Sequence, residues 1–256
     1  MIDVAAAVER WKLELGEPYE QGVAGWTTRA TLADGTPVVL KLVHPHRESE
    51  HEGDALEAWG GNGAIRLLAH DGDALLLERC EPGGPLSSLD QDDALDVLIA
   101  LLPRLWVDVG EPFHTLADEA AWWLEHDVPA VPDDRLRDAA SHFLRELAPT
   151  QGEQVLVHQD LHGENVLAAR REPWLVIDPK PLSAEREFSA ASIVRSFELG
   201  HSKRDALYRL DRLTSELDLD RERARGWTIA QTVAWSGGSD YVARHVETVR
   251  WLLEDA

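Results

Sequence analysis

The stretch HQDLHGEN, His158 to Asn165, decides the reading of this chain, together with WLVIDPK, Trp174 to Lys180, which follows it after a short apolar run and a turn. The octapeptide holds two His, two carboxylates and an Asn, a content that suits a metal cage, a polar turn or an active-site loop. Its flanks discriminate. The runs VLV, VLAA and WLVI are short and apolar, as strands are, and RREP between the last two carries turn residues. If those four residues close a hairpin, 169 faces 174 and, counting outward, Asn165 faces Asp178. Opposed antiparallel positions put Cβ atoms roughly 4.5–5.5 Å apart. The Asn165 amide oxygen and the Asp178 carboxylate are therefore expected to share one hard cation. Mg²⁺ takes one or two protein oxygens and leaves the rest of its shell to phosphates and water, so the pairing predicts a nucleoside-triphosphate site. Asp160, in the loop five residues before Asn165, is placed to receive a proton from an incoming hydroxyl.

Two other readings compete. Asp160, Asn165 and Asp178 are each common turn or strand-end residues, and singly none would signal chemistry. Alternatively His158, Asp160 and His162 form an HxDxH array, which on a strand would aim all three to one side and suit Zn²⁺ or another transition metal in a hydrolase. Gly163 and the polar run around it favour a loop, and the spacing HxDxxxxN followed by an apolar strand and an Asp favours phosphoryl transfer.

That reading demands a cation for the phosphates, held by a carboxylate from a neighbouring helix. Lys41 is the sole charge in the apolar run VVLKLV, and a buried ammonium needs a partner. Glu52 shares a helical face with Ala55, Leu56 and Trp59 and is the expected mate, with Glu48 as substitute. SEHE, Ser49 to Glu52, also matches a capping box, in which Glu52 would bond back to its own helix start. Gly22 and Gly25 in EQGVAGWTT are placed to cover phosphates or to form an ordinary turn, and they do not make a GxGxxG.

Around these residues the period of the sequence changes twice. Residues 3–15 have helical spacing up to Gly16; WTTRATL and TPVVLKLV form a hairpin across ADG; ESEHEGDALEAWG returns to helix; AIRLLAH and ALLLERC form a second hairpin across DGD. EPGGPLSSLDQDD reads as a linker over 81–90, separating a nucleotide-binding lobe at 1–80 from a catalytic and substrate-binding lobe at 91–256. Helical spacing then runs through ALDVLIALLPRLW, with Pro103 kinking or ending it, and over about 114–126 and 133–147. It resumes beyond Pro181, at about 189–199, 203–217, 221–235 and 239–253. The fold expected is α+β, a small antiparallel sheet with one inserted helix followed by a larger, mainly helical lobe.

With 256 residues, 44% of them hydrophobic, the chain can bury a full core. A net charge of −22 argues against nucleic acid or an anionic membrane surface as partner. It suits either a cationic ligand or a diffusely acidic, soluble surface. A single cysteine, Cys80, excludes intramolecular disulfides and four-Cys metal sites and points to a reducing compartment. The N-terminus lacks the cationic start and apolar core of a signal peptide, and no run approaches the roughly eighteen apolar residues of a membrane span. A soluble, cytoplasmic protein is expected.

Taken together, Lys41 in VVLKLVHP, Glu52, LLLERC before the Gly/Pro stretch, HQDLHGEN and LVIDPK resemble the aminoglycoside phosphotransferase family, which has a bilobal protein-kinase-like fold. GAIRLLAHD, ALLLERCEPGGPL, NVLAARREPWLVIDPKP and RGWTIAQTVAW are similar to its streptomycin 6-kinase and hydroxyurea phosphotransferase branch, over about residues 22 to 236. The resemblance implies ATP- and Mg²⁺-dependent phosphorylation of a hydroxyl on an aminoglycoside, aminocyclitol or amino sugar. It places the base on Asp160, the Mg²⁺ ligands on Asn165 and Asp178, and the phosphate-pairing Lys and its Glu on Lys41 and Glu52. It puts the segment that meets the nucleotide base at Glu78 to Cys80. LSAEREF stands where the branch carries Gly-Asp-Pro, which leaves the acceptor open, a hexosamine or other metabolite included. Candidate acceptor contacts are His162, which serves equally as a cap for the loop, Glu187 or Glu185, and Gln231 and Trp227 on one helical face with Trp235, although the two tryptophans read first as a core stripe. A non-catalytic nucleotide-binding module would be expected to lack one of Lys41, Asp160, Asn165 and Asp178. A protein kinase is disfavoured because no long activation segment follows Asp178.

Overall fold

The computed structural model describes residues 4–19, 25–44, 46–108, 110–237 and 242–255. Helix α1 (Val4–Trp11) leads into strand β1 (Glu14–Pro18), followed by β2 (Gly25–Thr31), β3 (Pro37–Val43), helix α2 (Glu52–Trp59), β4 (Leu67–Asp71) and β5 (Ala74–Glu78). The strands form one antiparallel sheet in the order β1-β2-β3-β5-β4. Alternation along β3 covers both faces, as expected of a strand in the middle of a sheet. Val38, Leu40 and Leu42 pack with Ala7, Leu13 and Ala30 beneath α1. Val43 joins Leu56, Trp59, Leu75 and Leu77 on the opposite face. Lys41 lies on that second face, toward α2.

The helix expected over 3–15 is shorter. It ends at Trp11, Lys12 takes a left-handed conformation (φ 51°), and the chain turns into β1. Leu15, which continues the helical spacing from Trp11, is 41% exposed. Strand β1 (ELGEP) is exposed along its whole length at the sheet edge, so it has no apolar alternation for a sequence to display.

The larger lobe contains α3 (Gln91–Leu105), α4 (Leu116–Trp122), α5 (Asp134–Leu147), α6 (Ala190–Arg195), α7 (Lys203–Glu216), α8 (Arg221–Ala234) and α9 (Ala243–Leu253). Side-chain caps start five of these where the spacing places their beginnings: Asp90 for α3, Thr115 for α4, Asp133 for α5, Ser202 for α7 and Asp220 for α8. Pro103 lies inside α3, which runs two residues past it to Leu105. Helix α8 is buried at every position from Ala224 to Ala234, packed by α5, α6, α7 and α9, and forms the axis of the lobe.

Two small antiparallel ladders sit in the middle of this lobe: β6 (Gln154–His158) with β9 (Pro181–Glu185), and β7 (Val166–Ala168) with β8 (Trp174–Val176). Strand β9 falls where helical spacing was expected to resume. All five of its residues are buried, so it shows no alternation. Distinct from the cluster beneath α1, one continuous apolar core passes from Val43, α2 and β5 through α3 into the helices, and the Trp59 indole N–H donates to the Leu105 carbonyl across the lobe boundary (2.9 Å). Among the described residues, no helix is long and apolar enough to cross a membrane.

Candidate active site

The β7–β8 hairpin is offset by one residue from the expected register. Val166 pairs with Val176, Leu167 with Leu175 and Ala168 with Trp174, because the loop has five residues, closed by the Ala169 N–H to the Pro173 carbonyl. Asn165 therefore faces Ile177, whose N–H donates to the Asn165 carbonyl at 3.0 Å. A one-residue slip normally turns a side chain to the other face of a ladder. Asp178 escapes this because it lies past the end of β8 in a left-handed conformation (φ 52°), which Asp tolerates better than most residues, and its carboxylate meets the Lys41 ammonium.

Lys41 Nζ also donates to both Glu52 oxygens, at 2.8 and 2.6 Å, with Lys41 6% and Glu52 1% exposed. The capping box does not form: the Ser49 hydroxyl donates to the carbonyls of His44 and His46, and the helix start has no side-chain cap. Glu48 turns elsewhere, its carboxylate 3.8 Å from Lys180 Nζ. Burial alone would depress the Lys41 pKa; Glu52 and Asp178 outweigh it and hold the ammonium above its ordinary value. Burial likewise works against the Asp178 charge, and Lys41 outweighs it, so that carboxyl sits low.

Asp160 is the centre of a second ionic group. Its Oδ2 accepts from Lys180 Nζ (2.8 Å) and its Oδ1 from Arg195 Nη2 (3.1 Å), and His162 Nε2 stands 3.9 Å away. Burial pushes against ionisation, but Arg195, Lys180 and His162 together hold the carboxyl far below the usual range. Arg195 comes from α6 and is 4% exposed. It also donates to Gln231 Oε1 (3.1 Å) and lies over the Trp235 ring at 4.6 Å, while Lys180 lies 5.0 Å from the same ring. Gln231 Nε2 donates in turn to the Gln159 carbonyl (3.0 Å). His162 Nδ1 pairs with Glu198 (3.0 Å). Against the penalty of burial, this pairing pulls Glu198 down to about 2 and raises His162. The Asn165 side-chain amide donates to the Asp160 carbonyl (2.8 Å), which leaves its own carbonyl oxygen as the atom suited to a cation.

His158 is committed on both sides of its ring. Nδ1 accepts from the Asp160 N–H (3.1 Å), so Nε2 carries the proton and donates to the Ile177 carbonyl (3.2 Å). Burial lowers its pKa to about 4. With no lone pair free, His158 cannot ligate a metal, and the HxDxH array is not formed. Instead the ring ties the loop at Asp160 to the segment leading into Asp178. Long-range ¹H–¹⁵N spectra should show His158 as the Nε2–H tautomer, without titration between pH 8 and 5; a midpoint near 6.5 would contradict this placement. Because the folded pKa lies below the unfolded one, this group's stabilisation is present above pH 6.5 and is lost as the pH falls toward 4.

Several acceptor candidates are not at the site. Trp227 is fully buried, with its indole N–H on Glu185, and Glu185 is 1% exposed between Trp227 and Arg223. Gln231 is likewise fully buried and acts on Arg195 and the loop backbone. Glu187 accepts from the Asp220 N–H at the start of α8, about 16 Å along the helix from Gln231 at 1.5 Å per residue. His162 does stand beside Asp160. Gly25 lies in β2 opposite Val43, where an added Cβ would come 2.3 Å from the Leu42 carbonyl oxygen, so its need is close strand packing. Gly22 lies outside the described residues. The Glu78 carboxylate is bound by Arg171 and by the Arg66 N–H, leaving backbone as what this segment can offer a ligand. Cys80 is half-buried and its thiol is pushed up to about 12, chiefly by burial, so it is not a nucleophile near neutrality.

The sequence offers no motif for Arg195, because AASIVR reads as an apolar helix. Lys180 and Glu198 are also unflagged, although a cation two residues after Asp178 was available as a signal.

A family model for aminoglycoside/hydroxyurea antibiotic resistance kinases matches residues 10–239. The chain belongs to this family. It is 40% identical over 244 residues to a streptomycin 6-kinase of Streptomyces griseus, covering 89% of this chain and 79% of that one. It is equally identical over 247 residues to a hydroxyurea phosphotransferase of Kitasatospora aureofaciens, covering 90% and 70%. The fold is that of a choline kinase from Streptococcus pneumoniae (TM-score 0.69, 15% identity, 97% and 98% covered). It is also that of an aminoglycoside phosphotransferase in ternary complex with AMP-PNP and hygromycin B (TM-score 0.60, 16% identity, 95% and 96% covered). The chain is thus a kinase of the aminoglycoside phosphotransferase family, with the bilobal protein-kinase-like architecture.

Proposed function

We propose that the protein transfers the γ-phosphoryl group of ATP, with Mg²⁺, to a hydroxyl of an aminoglycoside, aminocyclitol or amino sugar, from the lobe of residues 1–80 that holds the nucleotide to the lobe of 91–256 that holds the acceptor. The observation that carries this reading is the chain Glu52–Lys41–Asp178, which joins the sheet of the smaller lobe to the end of β8, beside the ionic group around Asp160.

The donor set fits Mg²⁺: a free amide oxygen on Asn165 and a carboxylate on Asp178 that is one-third exposed are hard oxygens, with room left for phosphates and water. Bound there, Mg²⁺ would neutralise charge on the phosphates. Glu52 fixes the Lys41 ammonium while leaving it able to exchange Asp178 for a phosphate oxygen. Asp160, held ionised by Lys180 and Arg195, accepts the hydrogen bond of the acceptor hydroxyl and aims its oxygen. A carboxylate so strongly stabilised is a weak base, so the proton moves late, once the oxygen has begun to bond to phosphorus; in a loose transition state positioning matters more than basicity. Lys180 adds a second positive charge near the transferring group. The net charge of −22 supports a cationic acceptor.

A coupled ADP-release assay with ATP and Mg²⁺ tests the reading against streptomycin, other aminocyclitols, hexosamines, hydroxyurea and simple alcohols. Turnover of about 1 s⁻¹ or more is expected with an aminocyclitol. Release with hexosamines alone would redirect the acceptor assignment, and no stimulation by any compound would favour a non-catalytic module.

A further inference from the structure

A second set of ligating side chains sits where the two lobes meet. Glu50 and His51 immediately precede α2 in the smaller lobe, and His114 lies just before α4 in the larger one. One ligating atom from each lies within 4.8 Å of the other two. His114 Nε2 is 3.4 Å from Glu50 Oε2, and the two imidazole rings are 5.7 Å apart between centroids. His51 Nδ1 is 3.0 Å from Asp54 Oδ2. A carboxylate only accepts, so Nδ1 carries the proton and the Nε2 lone pair is left for a ligand. A carboxylate on the far nitrogen is how proteins fix the tautomer and direction of a metal-binding imidazole. The His51 ring is further steadied edge-on against Phe113 (6.0 Å between centroids).

We propose that Glu50, His51 and His114 form a transition-metal site, Zn²⁺ being the ion best suited, that fastens the smaller lobe to the larger. Two imidazoles and one carboxylate make the N₂O donor set that Zn²⁺ accepts with a water in fourth place. Mg²⁺ prefers oxygen alone, so the site is chemically distinct from the one assigned to the nucleotide's metal. Closing the ligands to zinc-bond lengths requires the Glu50 side chain, 59% exposed, to swing inward and the ion to displace the proton that His114 Nε2 directs at Glu50 Oε2. The site continues a seam at which the lobes already touch, since Arg47 pairs with Glu119 (2.6 Å) and Glu48 with Lys180 (3.8 Å) from the same segment. An ion bound across it ties that seam shut.

The test uses chelator-treated full chain without nucleotide, titrated with ZnCl₂ and followed by calorimetry and thermal unfolding, so its outcome is independent of the kinase reading. One equivalent should bind, and Tm should rise by about 5 °C at a hundredfold excess over Kd. MgCl₂ should give no such rise. Glu50→Gln and His114→Gln, one from each lobe, should each keep the metal-free Tm and lose the zinc shift. The His114 carbonyl accepts from the Ser183 N–H; should that variant fold poorly, exposed Glu50 still supplies the test. No shift in the wild type, or a full shift retained in either variant, overturns the proposal.

Discussion

Asp160→Asn is expected to lower kcat by about 10³-fold or more while leaving the nucleotide Kd within about twofold of wild type. The substitution keeps the size and one acceptor oxygen but removes the charge that orients the acceptor hydroxyl and later takes its proton. Nucleotide contacts are assigned to Lys41, Asn165 and Asp178, and of these only Asn165 touches residue 160, through its backbone carbonyl, which the substitution preserves. The variant also leaves Arg195, 4% exposed, without its carboxylate. Removing one partner of a buried ion pair commonly costs about 3–5 kcal/mol. Here Gln231 and the Trp235 ring still hold the guanidinium, so a smaller loss is expected. Tm, equilibrium nucleotide binding and single-turnover rate should be measured on the same preparation. A folded variant retaining a tenth of wild-type kcat would remove Asp160 from the proposed role.

Much of this arrangement was legible because the motif residues sit at the ends of short strands, where local spacing and tertiary position coincide. HQDLHGEN begins on the last residue of β6, Asp178 lies just past β8, and Lys41 is the one charge in an apolar strand whose neighbour α2 presents Glu52. RREP looks like a complete turn, but Ala169 also leaves the ladder, so the register differs by one residue from the one the turn implies. Asp178 reaches Lys41 through its left-handed backbone rather than by cross-strand pairing, so the expected neighbour emerged by a different route. Periodicity could not find β1, exposed throughout, or β9, buried throughout, since neither alternates. The support of Asp160 was hidden for another reason. Arg195 and Gln231 lie on helices α6 and α8, 35 and 72 residues from their loop partners, and only packing of α6 on α8 brings them together. Trp227 and Gln231 do share one face, but it is the interior face, and an i+4 stripe does not say whether it looks into a core or a pocket.

Lys41→Met is expected to lower kcat/KM by about 10²–10³-fold, the loss typical of one preorganised charge-stabilising donor. It should also lower stability, and the two losses can be separated. Glu52 is 1% exposed, and among the described residues Lys41 is its hydrogen-bonded partner, so losing Lys41 costs about 3–5 kcal/mol. Burial pushes the Glu52 carboxyl up to about 7 even beside Lys41, so in the variant it takes up a proton above its unfolded value. A raised folded pKa means stability held at low pH and lost as pH rises, so Lys41→Met should be more destabilised at pH 8 than at pH 6. Replacing both members, Lys41→Met with Glu52→Leu, substitutes a well-packed apolar pair for the buried ions and should recover most of the stability and abolish the pH dependence. It should recover none of the activity, because the phosphates still lack their cation. If the double variant regained kcat/KM along with Tm, the ammonium would be a structural strut and phosphate binding would have to be sought elsewhere, with Lys180 the next cation in line.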